Sequence, residues 1–255
     1  MRGEDGAQSI HRAIGVLRTL AMAREAGFGL TEIVRLTGLT RPTVHRILTA
    51  LIAEGLVEQK PATRRYAVGE QIQFLALSRP RPSALIAAAE TALTETARAI
   101  GDTIFLTQRT GLDTICVARR LGDYPIQVLS LSVGDRRPLG ISSAGLAVLA
   151  RMGEDEVRSI LGANAPRLAA VGVGIRQAQS WVAGAKRLGY AIRDRGLVPG
   201  TRALSVAISD RGGQVIAAVT SAGVVRRMSQ ARMEAVADDL KACARAIEQA
   251  LARAG

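Results

Sequence analysis

One face of a short predicted helix carries the residues best suited to chemistry. After Thr40, an apolar stripe recurs at i, i+3, i+4 and i+7 through Val44, Ile47, Leu48 and Leu51, and it should face inward. The opposite face is polar and, near its N-terminus, basic. Arg can bind a guanine edge in the major groove, and Thr can contact a phosphate or a thymine methyl. The candidate DNA contacts of this helix are Thr40, Arg41, Pro42, Thr43, His45, Arg46 and Thr49.

A predicted β-hairpin adds a second group of cations. LVEQ and RYAVG have the pattern of two short strands joined by KPATR, with Lys60, Arg64 and Arg65 at or beside the turn. Cations on a projecting turn suit phosphates or the minor groove. Either feature alone could be solvated surface. The order of helix, three-residue turn, polar-faced helix and basic hairpin favours a winged helix-turn-helix.

Metal and cofactor chemistry find little support in the sequence. The only histidines are His11 and His45, and neither has a Cys or carboxylate cluster beside it. His45 is better placed to contact the DNA backbone or to lie on the surface. Cys116 and Cys243 sit in apolar stretches and are expected to be buried thiols. No cofactor and no metal are therefore expected.

The net charge of +12 is a weak argument for DNA binding. Residues 1–80 hold 11 Lys+Arg and 7 Asp+Glu, whereas residues 81–255 hold 23 and 15, so the excess is not concentrated in the head. No apolar run is long enough to span a bilayer, and the first residues lack the apolar core of a signal peptide. A globular protein that remains in the cytoplasm is expected.

The chain is predicted to contain two domains of α+β type. A Pro-rich break, SRPRPS, suggests a winged helix-turn-helix domain at 1–69, a linker at 70–82 and a larger domain at 83–255. In the head, Ser9 and Thr31 are predicted N-caps of the first two helices. The larger domain should pack helices on a mainly antiparallel sheet. Its predicted strands are DTIFLTQR, LDTICVARR, PIQVLSL, TRALSVAISD and QVIAAVTSA, and its predicted helices cover 84–101, 143–152, 154–162, 174–188 and 228–252.

The head resembles that of the IclR family of bacterial regulators. The resemblance is carried by SIHRAIGVLRTLA, by LTEIVRLTGLTRPTVHRILTALIAEGLVEQ and by RYAVGEQIQFLA. It continues through VGDRRPLGISSAGLAVLA, GYAIRDRGLVPGTRALSVAISDRGG and VIAAVTSAG. The resemblance implies a GAF-like α/β effector domain from about residue 83, with a sheet lining a small-molecule pocket.

The candidate pocket residues rest on this resemblance and on one local pattern. Ser142 and Ser143 precede a helix, where hydroxyls and free amides could hold a carboxylate, or could merely cap the helix. This chain has Ala203 where relatives often have Cys, and Leu146 in place of Lys. Arginines near the expected mouth favour an organic acid, although they could be solvated. The candidate effector contacts are Gly140, Ser142, Ser143, Arg193, Asp194, Ala203 and Thr220.

The expected function is a ligand-responsive regulator and not an enzyme. No histidine follows His45, which excludes Ser-His-Asp and Cys-His arrangements in the larger domain, and no phosphate-binding loop is present. A carboxylate enzyme using Glu154, Asp155 or Glu156 is the distant alternative. One winged head reads too few base pairs alone, so operator binding as a dimer or tetramer is expected. A larger domain that only oligomerises is the other alternative.

Overall fold

A computed structural model describes residues 3–23, 26–78, 83–194 and 198–254, with the side chains of 3–6 and 254 left aside. The chain divides into two compact units, residues 1–81 and 82–255. No helix within the described ranges is long and apolar enough to cross a membrane.

The first unit is a three-helix head followed by a small hairpin. Its elements are α1 (Gly3–Ala23), α2 (Leu30–Thr37), α3 (Arg41–Ala53), β1 (Val57–Gln59), β2 (Tyr66–Val68) and α4 (Gln71–Leu77). β1 and β2 pair antiparallel, with Glu58 opposite Ala67. The inward stripe of α3 packs with Val16 and Leu20 of α1 and Ile33 of α2 in one core. This core fixes which face of α3 turns outward.

Two helix starts in the head differ from the sequence-based expectation. α1 begins at Gly3, six residues before Ser9, so Ser9 lies inside the helix and does not cap it. The N-cap of α2 is Gly29 and not Thr31. Glycine has no side chain to bond the first-turn amides, but Glu32, three residues later, forms the other half of a capping box: its Oε2 accepts a hydrogen bond from the Gly29 amide at 2.8 Å.

The second unit is built on a six-stranded antiparallel sheet. Its elements are α5 (Ala84–Ile100), β3 (Thr103–Thr110), β4 (Asp113–Arg120), β5 (Arg136–Pro138), α6 (Ser143–Ala150), α7 (Glu154–Ala169), α8 (Ile175–Leu188), β6 (Ala191–Asp194), β7 (Thr201–Ser209), β8 (Val215–Val224) and α9 (Gln230–Ala254). The strand order is β5-β4-β3-β8-β7-β6. The predicted fold class, a winged helix-turn-helix head with an α/β domain on a mainly antiparallel sheet, is confirmed.

Helices cover the two faces of this sheet in different ways. α5 and α9 pack together on one face, over residues such as Ile104, Leu204 and Val219. On the other face, α6, α7 and α8 form a second core that reaches the sheet at Ala218. They leave part of this face to a smaller cluster around Phe105.

The segment 125–131, predicted as a strand, is irregular. The outer edge of β4 is already taken by β5 and the residues before it, since Cys116 exchanges backbone hydrogen bonds with Gly134 and Asp135. Val128 and Leu131 instead pack against Phe105. The apolar residues of this segment therefore pack on a face of the sheet, and the segment does not pair with a neighbouring strand.

Other elements of the second unit are longer or shorter than predicted. α7 continues past the predicted end at residue 162 to Ala169, because Asn164 and Leu168 are buried and hold its last turns against the core. β5 and β6 were not predicted, since three or four residues are too few for an alternating pattern. The Pro-rich break at 78–83 lies mostly outside the described residues.

Candidate functional site

The outward face of α3 carries the predicted DNA contacts. Val44, Leu48 and Leu51 are buried, whereas Arg41, Pro42, His45, Arg46 and Thr49 are exposed and Thr43 is partly exposed. The apolar and polar residues therefore occupy opposite sides of one helix, as a recognition helix requires.

The N-terminus of α3 is open to a phosphate. Thr40 occupies the N-cap position without a side-chain capping bond, and its hydroxyl lies 2.9 Å from that of Thr43. The first-turn amides have no intrahelical acceptor. Pro42 contributes no N–H there. Two hydroxyls and an uncapped helix end thus lie beside the exposed Arg46.

The hairpin between β1 and β2 carries its cations on a tight turn. The Arg64 amide donates to the Lys60 carbonyl at 2.8 Å, and the Lys60 amide donates to the Arg65 carbonyl at the same distance. Arg64 has a φ of 52°, in the left-handed region that a non-glycine residue enters at a cost. Its side chain is exposed. The turn therefore projects Arg64 away from the head.

Arg65, a predicted DNA contact, is already bonded to residues within the head. Its Nε donates to the carbonyls of Ala26 and Gly27 at 3.1 Å each, and its Nη2 contacts Glu32 Oε2 at 2.7 Å. The guanidinium therefore fastens the hairpin to the segment between α1 and α2. Arg65 is a positioning residue for the wing, whose tip is left to Lys60 and Arg64.

In the second unit, strand register gathers several predicted effector residues on one sheet face. Phe105, Thr220 and Ser205 lie side by side across β3, β8 and β7. In the next row on that face, Ala222 is opposite Ala203, which is opposite Arg193. Directly opposed residues share a face of a sheet. Apart from Ser205, which is fully buried, the residues of these rows line a cavity of about 290 Å³. Its other lining residues include Leu131, Ile141, Ser142, Ser143, Ala144 and Val173.

The N-terminus of α6 forms one wall of this cavity. Ser142 is the N-cap, and its Oγ accepts a hydrogen bond from the Gly145 amide at 3.1 Å. Capping leaves the amides of Ser143 and Ala144 without an intrahelical acceptor. Ser142 thus acts as a cap and as a lining residue, so the two sequence-based readings of it are compatible.

A buried chain of hydroxyls connects this helix to the sheet. Ser205 Oγ donates to Ser143 Oγ at 2.8 Å and lies 2.7 Å from Thr220 Oγ1. A serine hydroxyl has one proton, so Thr220 donates to Ser205. The proton of Ser143 is therefore available to an acceptor in the cavity.

Arg193 brings positive charge to the same cavity. Its guanidinium stacks on Trp181, 3.7 Å from the ring centroid. Its Nε is buried and has no hydrogen-bond acceptor within the described part of the chain. Burial lowers the pKa of Arg193 from its usual value, against the opposing effect of Asp194. A buried donor without an acceptor favours an anion as the missing partner.

Two predicted effector residues do not line the cavity. Asp194 follows Arg193 on β6, so its side chain points to the other side of the strand, where it is exposed and pairs with Arg202 Nε. Gly140 is a buried turn residue with φ 107°, and a Cβ there would lie 2.7 Å from Leu161 Cδ2. Gly140 therefore lets the turn before α6 approach α7. In the described residues, no three His, Cys, Asp or Glu side chains cluster as metal ligands.

Comparisons with known proteins identify the family. The model of the IclR helix-turn-helix domain matches residues 9–61, and that of the bacterial transcriptional regulator IclR C-terminal domain matches residues 81–249. The chain belongs to the IclR family. It is an IclR-type DNA-binding transcriptional regulator, and the predicted family resemblance is confirmed.

Individual relatives agree with this assignment over the whole length. The HTH-type transcriptional regulator XynR of Escherichia coli is 25% identical over 96% of this chain and 97% of its own. The crystal structure of an IclR transcriptional regulator from Alicyclobacillus acidocaldarius has a TM-score of 0.75 at 22% identity, covering 96% and 98% of the two chains. An IclR homolog from Microbacterium hydrocarbonoxydans, complexed with 4-hydroxybenzoate, has a TM-score of 0.70 at 22% identity, covering 97% and 100%.

Three residues in or beside the cavity of this IclR-type regulator were missed from the sequence. Phe105 lines the cavity, whereas Ser205 and Trp181 contact residues that line it. Phe105 and Ser205 were read only as strand residues, and Trp181 only as part of a helix. Their signal lies in pairing register, because Phe105 and Ser205 are the neighbours of Thr220 on β3 and β7. With Thr220 as a candidate, knowledge of the strand register would have added Phe105 and Ser205 to the list of candidate residues.

Proposed function

We propose that this regulator senses a small organic acid in the cavity of its second unit and changes its binding to operator DNA in response. The observation that carries the proposal is the cavity itself, of about 290 Å³, between the N-terminus of α6 and Arg193. A larger domain that only oligomerises would need no such cavity, so its presence counts against that alternative.

The chemistry of the walls favours a carboxylate on an apolar body. Arg193 supplies a charged donor, and Ser143 with the first amides of α6 supplies neutral ones. Phe105, Leu131 and Ala222 supply apolar surface. A ligand with one anionic end and one flat apolar side satisfies both, as in most small-molecule sites.

The 4-hydroxybenzoate complex of the Microbacterium hydrocarbonoxydans homolog supports an aromatic acid as the first ligand to test. We expect 4-hydroxybenzoate to bind and 4-hydroxybenzamide, its neutral analogue of nearly equal shape, to bind about tenfold or more weakly. Isothermal titration calorimetry with both compounds measures this. Equal affinities, or no binding of any acid in a panel of benzoates and aliphatic acids, would contradict an acid sensor.

In the head, the proposed DNA contacts divide into two kinds. Arg46 on α3 should read a base, so Arg46→Ala should cost about 1–3 kcal/mol and relax operator preference. Lys60 and Arg64 on the turn should contact phosphates, so their loss should weaken binding to every sequence and flatten its salt dependence. Anisotropy titrations on operator and scrambled DNA at several salt concentrations separate the two. Unchanged operator affinity in Arg46→Ala would contradict this orientation of α3.

We further propose that the regulator acts in the cytoplasm, without enzymatic activity, as a dimer or tetramer. Exposed apolar residues on α4, Phe74, Leu75 and Leu77, and on α1, Ile10 and Ile14, support self-association through the head and the following helix. Light scattering during gel filtration tests this directly. A Phe74→Glu/Leu77→Glu variant should shift the mass toward monomer, whereas Leu121→Glu, an equally exposed leucine of the second unit, should not.

A further inference from the structure

A second concavity, of about 600 Å³, lies at the edge of the sheet and shares no lining residue with the effector cavity. β6 pairs with β7 only as far as the Ala191–Ser205 pair. Val206 and Ala207 continue β7 beyond that point and line the concavity, together with Tyr190, which leads into β6. The space therefore occupies the position beside β7 that a longer β6 would fill.

Small residues form the floor of this edge groove. They come from the three helices around it and from β7: Ala147, Ala150, Ala185, Ala207 and Ala244. The short side chains at these five positions leave space for the volume between the helices and β7. The size lies within the range of small-molecule sites, about 300–1,000 Å³.

Four cations surround the edge groove: Arg151, Lys186, Lys241 and Arg245. Only Lys241 has a carboxylate partner, with its Nζ 3.0 Å from Asp238 Oδ1. The other three form no ion pair within the part of the chain that the structure describes, and they are exposed. The cations of the groove therefore largely lack internal neutralisation.

The one carboxylate that lines the groove is already engaged. Glu248 Oε1 accepts a hydrogen bond from the Ser209 amide at 2.8 Å, which ties α9 to the end of β7. Glu248 is also outnumbered by the cations four to one. Like charges around one concavity repel one another, and a bound anion of several charges would relieve this repulsion.

We propose that the edge groove is a second ligand site, for a small organic anion carrying at least two negative charges. Polycarboxylates and phosphorylated metabolites both meet this description, because each carries several negative charges on a small molecule. This anion differs from the proposed effector, whose cavity offers one arginine and apolar walls. The site also gives a role to part of the positive charge that the second unit carries outside the DNA-binding head.

Calorimetry on the full-length protein tests the proposal, with citrate and pyrophosphate as probes at constant ionic strength. Saturable binding of citrate supports a polycarboxylate source, and saturable binding of pyrophosphate supports a phosphate source. In Lys186→Ala/Arg245→Ala, the dissociation constant should rise about tenfold or more, because two charge-assisted contacts are lost. The control Arg187→Ala/Arg253→Ala removes two exposed cations from the same helices, outside the groove, and should bind as the parent does.

Three results would overturn the proposal. They are the absence of saturable binding for both probes, an equal loss of affinity in the two double variants, and binding of an acidic polypeptide such as polyglutamate without binding of either small anion. Binding of 4-hydroxybenzoate serves as the independent check on the effector cavity. It should be unchanged in Lys186→Ala/Arg245→Ala, so failure of one site is distinguishable from failure of the other.

Discussion

At the scale of single residues, Arg193 is the side chain that we propose to decide which class of ligand the effector cavity accepts. Its Nε is buried without an acceptor, and Trp181 holds the guanidinium plane in place. Arg193→Gln should weaken 4-hydroxybenzoate by about 1.5–3 kcal/mol, the usual contribution of a hydrogen bond to a charged group. The amide analogue should bind about as before. Calorimetry of both ligands measures the difference, with Arg187→Gln, an exposed arginine outside the cavity, as the control.

If Arg193→Gln weakened the acid and the amide equally, the side chain would be shaping the cavity and not pairing with a charge. An equal loss in Arg187→Gln would point to long-range attraction by the whole charged surface. The proposed contact requires that only the acid, and only the Arg193 variant, be affected.

Gly140 allows a separate prediction about packing beside the effector cavity. Gly140 and Gly134 both have positive φ, of 107° and 93°, but only at Gly140 would a Cβ meet a close neighbour, Leu161 Cδ2 at 2.7 Å. Gly134→Ala should cost about 1–2 kcal/mol of unfolding free energy, because an L-residue is strained at this positive φ. Gly140→Ala should cost about 1–3 kcal/mol more, because Leu161 is fully buried and has little room to move.

Urea unfolding of the two glycine variants measures this difference directly. Because both glycines have a positive φ, much of the backbone cost is common to the two variants, and the larger loss expected for Gly140→Ala comes from the contact with Leu161. Equal losses of stability would mean that the turn before α6 shifts to accommodate the methyl group. The position of Ser142 and Ser143 would then be less strictly fixed than the contact with α7 implies.

At the scale of elements, the hairpin of the head separates a structural arginine from one proposed to bind DNA. Arg65→Ala should lower the unfolding free energy of the head by about 1–3 kcal/mol, because it removes the bonds to Glu32 and to two carbonyls. Arg64→Gly should leave stability unchanged or slightly higher, since glycine adopts a φ of 52° without steric cost. It should nevertheless weaken DNA binding.

Thermal unfolding and DNA titration of both hairpin variants test this pattern. The expected result is a lower melting temperature only for Arg65→Ala, and weaker DNA binding with a normal melting temperature only for Arg64→Gly. A normal melting temperature in Arg65→Ala would mean that its contacts contribute little to the stability of the head. A normal DNA affinity in Arg64→Gly would remove the turn from the interface.

Elements were predictable where burial and periodicity coincide. α3 was predicted from Val44, Leu48 and Leu51, because its inward stripe makes the whole helical period visible. The segment 125–131 was wrongly predicted as a strand, because its apolar residues Val128 and Leu131 pack against Phe105 and do not pair in a ladder. The same distinction applies to the site. Ser143 lies at the start of a helix and was visible in the sequence. Ser205 is brought into contact with Ser143 and Thr220 only by strand register, which is a long-range property.

At the scale of the whole molecule, positive charge alone is a poor guide to where DNA binds. Much of it is engaged inside the fold. Arg227 and Arg232 pair with the buried Asp102, and Arg136 and Arg167 pair with Asp113. A cation identifies a binding surface only when it is exposed, unpaired and beside a shape that fits a ligand. By these criteria the exposed face of α3, and not the net charge, identifies the head as the DNA-binding part of the chain.

The effector cavity and the DNA-binding surface of the head must be coupled if the ligand controls DNA binding. Linkage requires that 4-hydroxybenzoate change operator affinity by the same factor by which operator DNA changes 4-hydroxybenzoate affinity. A factor of about 5–150 is expected, in either direction. Anisotropy with saturating ligand gives one factor and calorimetry with saturating operator gives the other.

Two variants test this coupling. Without ligand, Arg193→Gln should bind the operator normally. At a ligand concentration that saturates the parent protein, its operator affinity should change less than that of the parent. Arg46→Ala should weaken the operator complex but keep normal ligand affinity in the free protein. A ligand that binds tightly without changing operator affinity would separate binding from control and contradict the sensor proposal.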